Sequence, residues 1–290
     1  MYAIEYAWER GVRNFDTAGS YGLGLSEERL GETLGLRIRD ANVCTKGGIK
    51  WLRSKNERAH IYVDNSLSSL KEDVLSSLER LRLDILPCFL VHRVLDTSQL
   101  KEIVSALEEL KESKLIRSFG LSNVTNIPVI GQLKQSIGTV AQFSFSLLDL
   151  DSNDDVLEYY SEVGIKTMTF GGLAQGLLSG KYVDMNIREK TDRRSRLSHF
   201  QPLFISSLEP IFDALKEESE KTGFSLAQIA LAILLEDKRI SYVVIGCKNQ
   251  QQIKEALDVA QDSVKRSLIS VNVINHQVQQ WKTNFKFQND

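Results

Sequence analysis

Residues 12–35 read VRNFDTAGSYGLGLSEERLGETLG. The short start VRNF runs into Asp16 and Thr17, then into a glycine-rich loop holding Tyr21. SEERLGETLG follows, and its Leu30 and Leu34 fall one helical turn apart. This unit of strand, loop and amphipathic helix recurs in type along the chain. NVCTKGG (42–48) precedes Leu67, Leu70, Val74, Leu78 and Leu81 at helical spacing. DILPCFLVH (84–92) precedes Leu100, Ile103, Val104, Leu107 and Leu110. IRSFGLSN (116–123) leads to IPVIGQLKQSI, TVAQFSFSLL (139–148) to DVLEYYSEVG, and IKTMTFGGL (165–173), after a long insertion, to SLAQIALAILLED. ISYVVIGCK (240–248) leads to QQIKEALDVAQ.

Strands that alternate with helices imply parallel pairing through right-handed crossovers. Seven such units are recognisable. A further helix with Ile4, Ala7 and Trp8 on its apolar stripe precedes the first of them. The strand that would complete an eighth unit is absent from this sequence, so the expectation is either a chain that starts late or a rebuilt first unit. No linker rich in Pro, Ser or Gly breaks the pattern, and residues 1–290 read as a single domain. The polar, basic segment 179–206 falls on the strand-to-helix side, where barrel sites are built. It reads as an active-site loop over an anionic ligand or as a solvated loop. Within the tail 259–290, Val271, Ile274, Val278 and Trp281 favour a helix over a strand through SLISVNV.

Composition narrows the function. The chain has 290 residues, 42% hydrophobic and 26% charged, enough for a sizeable core. A net charge of −2 gives no support for nucleic-acid or membrane-surface binding. No apolar run has transmembrane length. Three widely separated cysteines without a CxxC fit a reducing cytoplasm, as buried small hydrophobes.

In parallel α/β folds, chemistry gathers at the C-terminal strand ends. Those ends carry Asp16, Lys46, His92, the pair Ser122 and Asn123, and Gln142, with Tyr21 in the loop after Asp16. Singly, each has a structural use as a cap, a surface aromatic, a loop charge or a core histidine. Jointly they form a chemical set. A free tyrosine has a pKa of about 10, too high for easy proton transfer at neutral pH, and a nearby ammonium stabilises its phenolate. A carboxylate holds the lysine, and a neutral imidazole can orient a substrate oxygen. The set suits a tyrosine acid/base acting on a carbonyl or alcohol.

These residues resemble the aldo-keto reductase family. Its pattern G-x-R-x-x-D-T-A-x-x-Y-G, followed by S-E and L-G, is met by GVRNFDTAGSYGLGLSEERLG from Gly11 to Gly31. CTKGG, FLVHRVLD, FGLSN, AQFSFSLLD, LAQGLLSGKY and VVIGCKNQQQIKEAL follow in the family's order, so the resemblance spans about residues 3–258. It implies a (β/α)8 TIM-barrel type, here apparently lacking the first strand, that uses NADP(H) without metal; NAD(H) is the other cofactor the pattern admits. It assigns Tyr21 as proton donor, Lys46 and Asp16 as the groups tuning it, and His92 as the group orienting the carbonyl. It places Ser122, Asn123 and Gln142 on the nicotinamide carboxamide and Phe170 against the nicotinamide ring. Backbone at Gly171, Leu173, Gln175 and Gly246 would meet the phosphates, Lys248 the 2′-phosphate, and Gln252 and Glu255 the adenosine. The implied partner is a small carbonyl or sugar.

Besides the absent strand, the sequence departs from the family at Gly171-Gly172 in place of Ser-Pro, at Ile245 in place of proline and at Ala256 in place of asparagine. These changes motivate an alternative from another class, a catalytically weakened nucleotide-binding regulatory or assembly subunit. A barrel lyase or isomerase would want paired carboxylates or a metal cluster at strand ends, and neither is present. The substrate-pocket rim is expected from 47–60, 179–206 and the tail, with Trp51, Trp281 and Phe285 either lining it or packing elsewhere. Oligomeric state is not readable.

Overall fold

The structure is a computed structural model that describes residues 1–52, 60–133, 138–149, 153–182 and 192–289. The expected rim and loop therefore fall partly outside the described residues, at 53–59 and 183–191. The chain forms two compact units. Unit one comprises Met1–Phe143, Asp155–Met168 and Cys247–Gln250; unit two comprises Ser144–Asp154, Thr169–Gly246 and Gln251–Asp290.

Unit one opens with α1 (Tyr2–Glu9) and then alternates β1 (Asn14–Asp16), α2 (Leu25–Leu34), β2 (Asn42–Gly47), α3 (Leu67–Leu81), β5 (Cys88–Val91), α4 (Leu100–Glu112), β6 (Phe119–Ser122), α5 (Ile127–Leu133) and β7 (Val140–Ser144), with α6 (Asp154–Glu162) leading into β8 (Lys166–Phe170). The strands lie in the order β1-β2-β5-β6-β7-β8. Parallel registers pair Asp16 with Cys44, Cys44 with Cys88, Lys46 with Leu90, and Ser122 with Gln142. β2, β5 and β6 are almost wholly buried, as strands covered on both faces should be. The helices bury the stripes that their spacing predicts: Leu70, Val74, Leu78 and Leu81 in α3, and Ile103, Val104, Leu107 and Leu110 in α4. Ser66 caps α3 by accepting from the Ser69 amide. Gly31 lets α2 lie against α3, because a Cβ there would come within 2.4 Å of the Arg80 carbonyl oxygen.

An antiparallel hairpin, β3 (Ile49–Leu52) with β4 (His60–Val63), follows β2 directly. The hairpin leaves Leu52, Ile61 and Tyr62 exposed, and Trp51 lies in β3.

Unit two continues β8 into β9 (Tyr242–Val243) through the Val244 amide, which donates to the Thr169 carbonyl at 2.7 Å. Its core is helical, drawn from α8 (Glu209–Thr222), α9 (Leu226–Glu236) and α12 (Val271–Asn289). Smaller helices are α7 (Pro202–Ser207), α10 (Gln250–Gln261) and α11 (Ser263–Ser267). A capping box of Ser225 and Gln228 starts α9. The tail is the expected helix: Ile274, Val278 and Trp281 are buried at the expected spacing. β1, β2, β5, β6, β7, β8 and β9 are the strands read from the sequence, and their alternation with helices is the βα pattern of the (β/α)8 class. Among the described residues no helix is long and apolar enough to cross a membrane.

Candidate active site

Unit one brings Asp16, Tyr21, Lys46, His92, Ser122, Asn123 and Gln142 onto adjoining strand ends. Asp16 is the last residue of β1, and Lys46 lies next to last in β2. The Lys46 ammonium is 1% exposed and donates to Asp16 Oδ2 at 2.7 Å and to the Thr17 carbonyl at 2.8 Å. Burial works against the charged ammonium, but Asp16 beside it prevails, and the pKa of Lys46 rises above the ordinary lysine value. Removing either partner would strand a buried charge.

The Lys46 ammonium sits 5.0 Å from the centre of the Tyr21 ring. Tyr21 is 43% exposed and meets the His92 ring edge-on at 5.5 Å. His92 follows β5, its amide bonded to the Gly47 carbonyl at 2.9 Å. Burial first, then the positive charges of Lys46 and Arg93, pushes its pKa down to about 4. The imidazole is therefore neutral at neutral pH and can hold a substrate oxygen without adding charge.

Three residues that the sequence reading did not single out for the site complete it. The Ser20 hydroxyl lies 3.3 Å from His92 Nδ1, so it bears on which imidazole nitrogen carries the proton. Fully buried Glu27 accepts from Thr45 Oγ1 at 2.5 Å and from Arg80 Nε at 2.7 Å. Arg80 thereby fastens the loop between β1 and α2. Gly24 packs so close to it that a Cβ would fall 3.0 Å from Arg80 Cδ. Glu27 was visible in the S-E motif; Ser20 and Arg80 carried no sequence signal for these contacts.

At the ends of β6 and β7, the Gln142 side chain donates to Asp16 Oδ1 at 2.7 Å. The carboxylate is thus held by two donors. The Asn123 amide donates to Ser122 Oγ at 3.1 Å, and Asn123 itself is exposed in a left-handed conformation with φ 59°. The remaining Asn123 and Gln142 oxygens and the Ser122 hydroxyl proton form a donor–acceptor set that matches a carboxamide.

Phe170, Gly171, Leu173, Gln175, Gly246, Gln252 and Glu255 belong to unit two, and Lys248 to the segment grouped with unit one. Gly171, Ala174, Gln175 and Gly176 all have positive φ, from 47° to 97°. The loop therefore turns tightly on its own backbone, with Ala174 bonded to Gly171 and Gly176 to Leu173. Thr169 Oγ1, just upstream and 1% exposed, has no hydrogen-bond partner. Such a backbone and an orphaned hydroxyl fit a polar ligand. Glu255 accepts from Gln251 at 2.9 Å within α10.

In the described part of 179–206, Arg194 pairs with Asp192 and the Tyr182 hydroxyl, and so is engaged within the loop itself. Trp281 and Phe285 stack at 5.6 Å, with the Trp281 indole bonded to Ser207 at 3.0 Å. Both join the core of unit two. Among the described residues there is no cluster of metal-ligating side chains.

A model of the aldo/keto reductase family matches residues 1–267. An uncharacterised oxidoreductase of Bacillus subtilis, YqkF, is 28% identical over 258 residues, 89% of this chain and 80% of that protein. The NADH-specific methylglyoxal reductase of Escherichia coli is 26% identical over 254 residues, 84% of this chain and 77% of that one. Among solved structures, a glycerol dehydrogenase from Gluconobacter oxydans superposes with a TM-score of 0.79 at 25% identity, covering 92% of this chain and 83% of that one.

Proposed function

The chain belongs to the aldo/keto reductase family, and from that premise we propose that this oxidoreductase interconverts a small aldehyde, ketone or sugar carbonyl and its alcohol, using NADP(H) and Tyr21 as proton donor. The observation that carries the proposal is the buried Lys46–Asp16 pair at 2.7 Å, with its ammonium 5.0 Å from the Tyr21 ring. When bound, the nicotinamide supplies or accepts the hydride.

The chain's own residues do the rest. Tyr21 gives its proton to the carbonyl oxygen. The Lys46 ammonium stabilises the negative charge left on the Tyr21 oxygen, while Asp16 and the Thr17 carbonyl fix the lysine in place. Neutral His92 orients the carbonyl. Ser122, Asn123 and Gln142 would hold the carboxamide, Phe170 the nicotinamide face, and backbone at Gly171, Leu173, Gln175 and Gly246 the phosphates. Gln252 and Glu255 fall to the adenosine. The intact proton-transfer set supports catalysis over the regulatory-subunit alternative. The proposal includes a cytoplasmic setting, supported by three cysteines that are thiols and form no CxxC.

Following NADPH absorbance against a panel of aldehydes, ketones and aldoses tests the reading. Turnover that falls about 10²–10⁴-fold in Tyr21→Phe is expected. Absence of turnover across the panel, or turnover indifferent to Tyr21→Phe, overturns it. Lys248 is the residue that favours NADPH, although the Escherichia coli relative is NADH-specific by name. Lys248→Ala should lower kcat/KM for NADPH more than for NADH, and equal losses reject that role.

A further inference from the structure

Cys44 and Cys88 lie directly opposite each other on the neighbouring parallel strands β2 and β5. Strands in a sheet run about 4.7–4.9 Å apart, and a disulfide spans Cα atoms roughly 4.4–6.8 Å apart. The two side chains share a small apolar cluster with Leu90, Val140 and Met168. Cys44 is buried, whereas Cys88 is only half-buried at the start of its strand. The site is also coupled to the catalytic set. The Cys44 carbonyl holds the Thr17 amide at 2.9 Å, and the Thr17 carbonyl in turn holds Lys46.

We propose that Cys44 and Cys88 form an oxidative modification site, at which a small hydroperoxide converts the two thiols into a disulfide joining β2 to β5. Cys88 sulfur attacks the peroxide O–O bond, gains one oxygen as a sulfenic acid and releases water, or an alcohol from an organic peroxide. Cys44 sulfur then attacks the sulfenic sulfur. The S–S bond forms, the S–O bond breaks, and the hydroxide leaves as water with the Cys44 proton. The two thiols supply the two electrons that reduce the peroxide.

The direction of attack follows from the contacts. The adjacent Cys44 side chain, aided by Ser118, outweighs burial and lowers the pKa of the more open Cys88, while Cys88 beside it and burial together push the Cys44 thiol up. Rate loss follows through Thr17, because drawing Cys44 toward β5 displaces the carbonyl that anchors Lys46. A displacement of about 1 Å costs on the order of 10²-fold in rate.

The test treats the purified full chain with hydrogen peroxide, then alkylates it in denaturant and maps its non-reduced peptides by mass spectrometry. A Cys44–Cys88 linked peptide that dithiothreitol releases is expected, with Cys247 still alkylated. The link should be absent in Cys88→Ala. Carbonyl turnover should fall with formation of the link and recover on reduction, while Cys88→Ala keeps its turnover in peroxide. Both cysteines alkylated after treatment, or a link from either to Cys247, overturns the proposal. The peptide map does not use turnover, so it decides the matter even if the reaction assigned above is wrong.

Discussion

The loop between β1 and α2 and the loop after β8 both contain left-handed residues, but their hydrogen bonds go to different places. In the first, Gly22, Leu23 and Gly24 have positive φ, yet the loop is fastened from afar. Thr17 and Gly19 bond to the carbonyls of Cys44 and Lys46, and Glu27 is tied to Arg80, 53 residues away. In the second, Gly171 to Gly180 closes on itself: Gly176 bonds to Leu173, Leu178 to Leu173, and Gly180 to Leu177. The first arrangement fixes side chains, as proton transfer requires. The second fixes the backbone and demands little of the side chains, as amide recognition of a charged group allows. On the proposed function, this contrast explains how Gly171-Gly172 can stand where the family has Ser-Pro without disturbing the residues proposed for proton transfer.

Substitutions should respect that division. Lys46→Met removes the buried ammonium and strands Asp16. Turnover should fall on the order of 10³-fold, read by single-turnover kinetics with circular dichroism as a check on the fold. A loss under ten-fold would break the contrast at its strongest point. Arg80→Met leaves the Glu27 carboxylate buried without its ion pair. About 3–5 kcal/mol of stability should be lost, read by denaturant unfolding, with kcat falling more than KM rises. Arg80→Lys should restore part of both.

His92 gives a smaller and pH-dependent effect. Its folded pKa of about 4 lies below the ordinary 6.5, so the unfolded chain takes up this proton first as pH falls. Stability from neutral His92 is therefore complete above about 6.5 and drains away toward pH 4. Proton NMR of the imidazole should show titration near pH 4 in the folded protein, and a midpoint near 6.5 would refute its burial. The smallest change is expected in the second loop. Gln175→Gly relieves a left-handed side-chain residue worth about 1–2 kcal/mol but frees the unfolded chain by about 0.4–1, for a net gain of roughly 0.5 kcal/mol. A loss of stability would show that the Gln175 side chain, not only its backbone, is needed.

Sequence legibility follows the same physics. β2, β5 and β6 were readable because burial on both faces writes continuous apolar runs, and α12 because Ile274, Val278 and Trp281 keep helical spacing. The hairpin β3–β4 was missed because it buries little: IKWL and HIYV are half-buried at best and write no period. Asp16, Tyr21, Lys46 and His92, which the structure brings together, stand out in the sequence as a candidate set because chemistry limits which side chains serve a proton transfer. Their supports could not. The bond from Gln142 to Asp16 spans 126 residues and that from Arg80 to Glu27 spans 53, and no local pattern encodes such pairings.

The Arg80 tether also has a consequence for synthesis. Glu27 leaves the ribosome 53 residues ahead of its partner, which at about 5–20 residues per second is a wait of roughly 3–10 s. During that interval the nascent chain carries the Tyr21 loop without its clamp and a carboxylate destined for a dry interior still in water. The Tyr21 loop can reach its clamped conformation only after α3 has emerged and docked, so the DTAGSYG motif matures later than its place in the sequence alone would set.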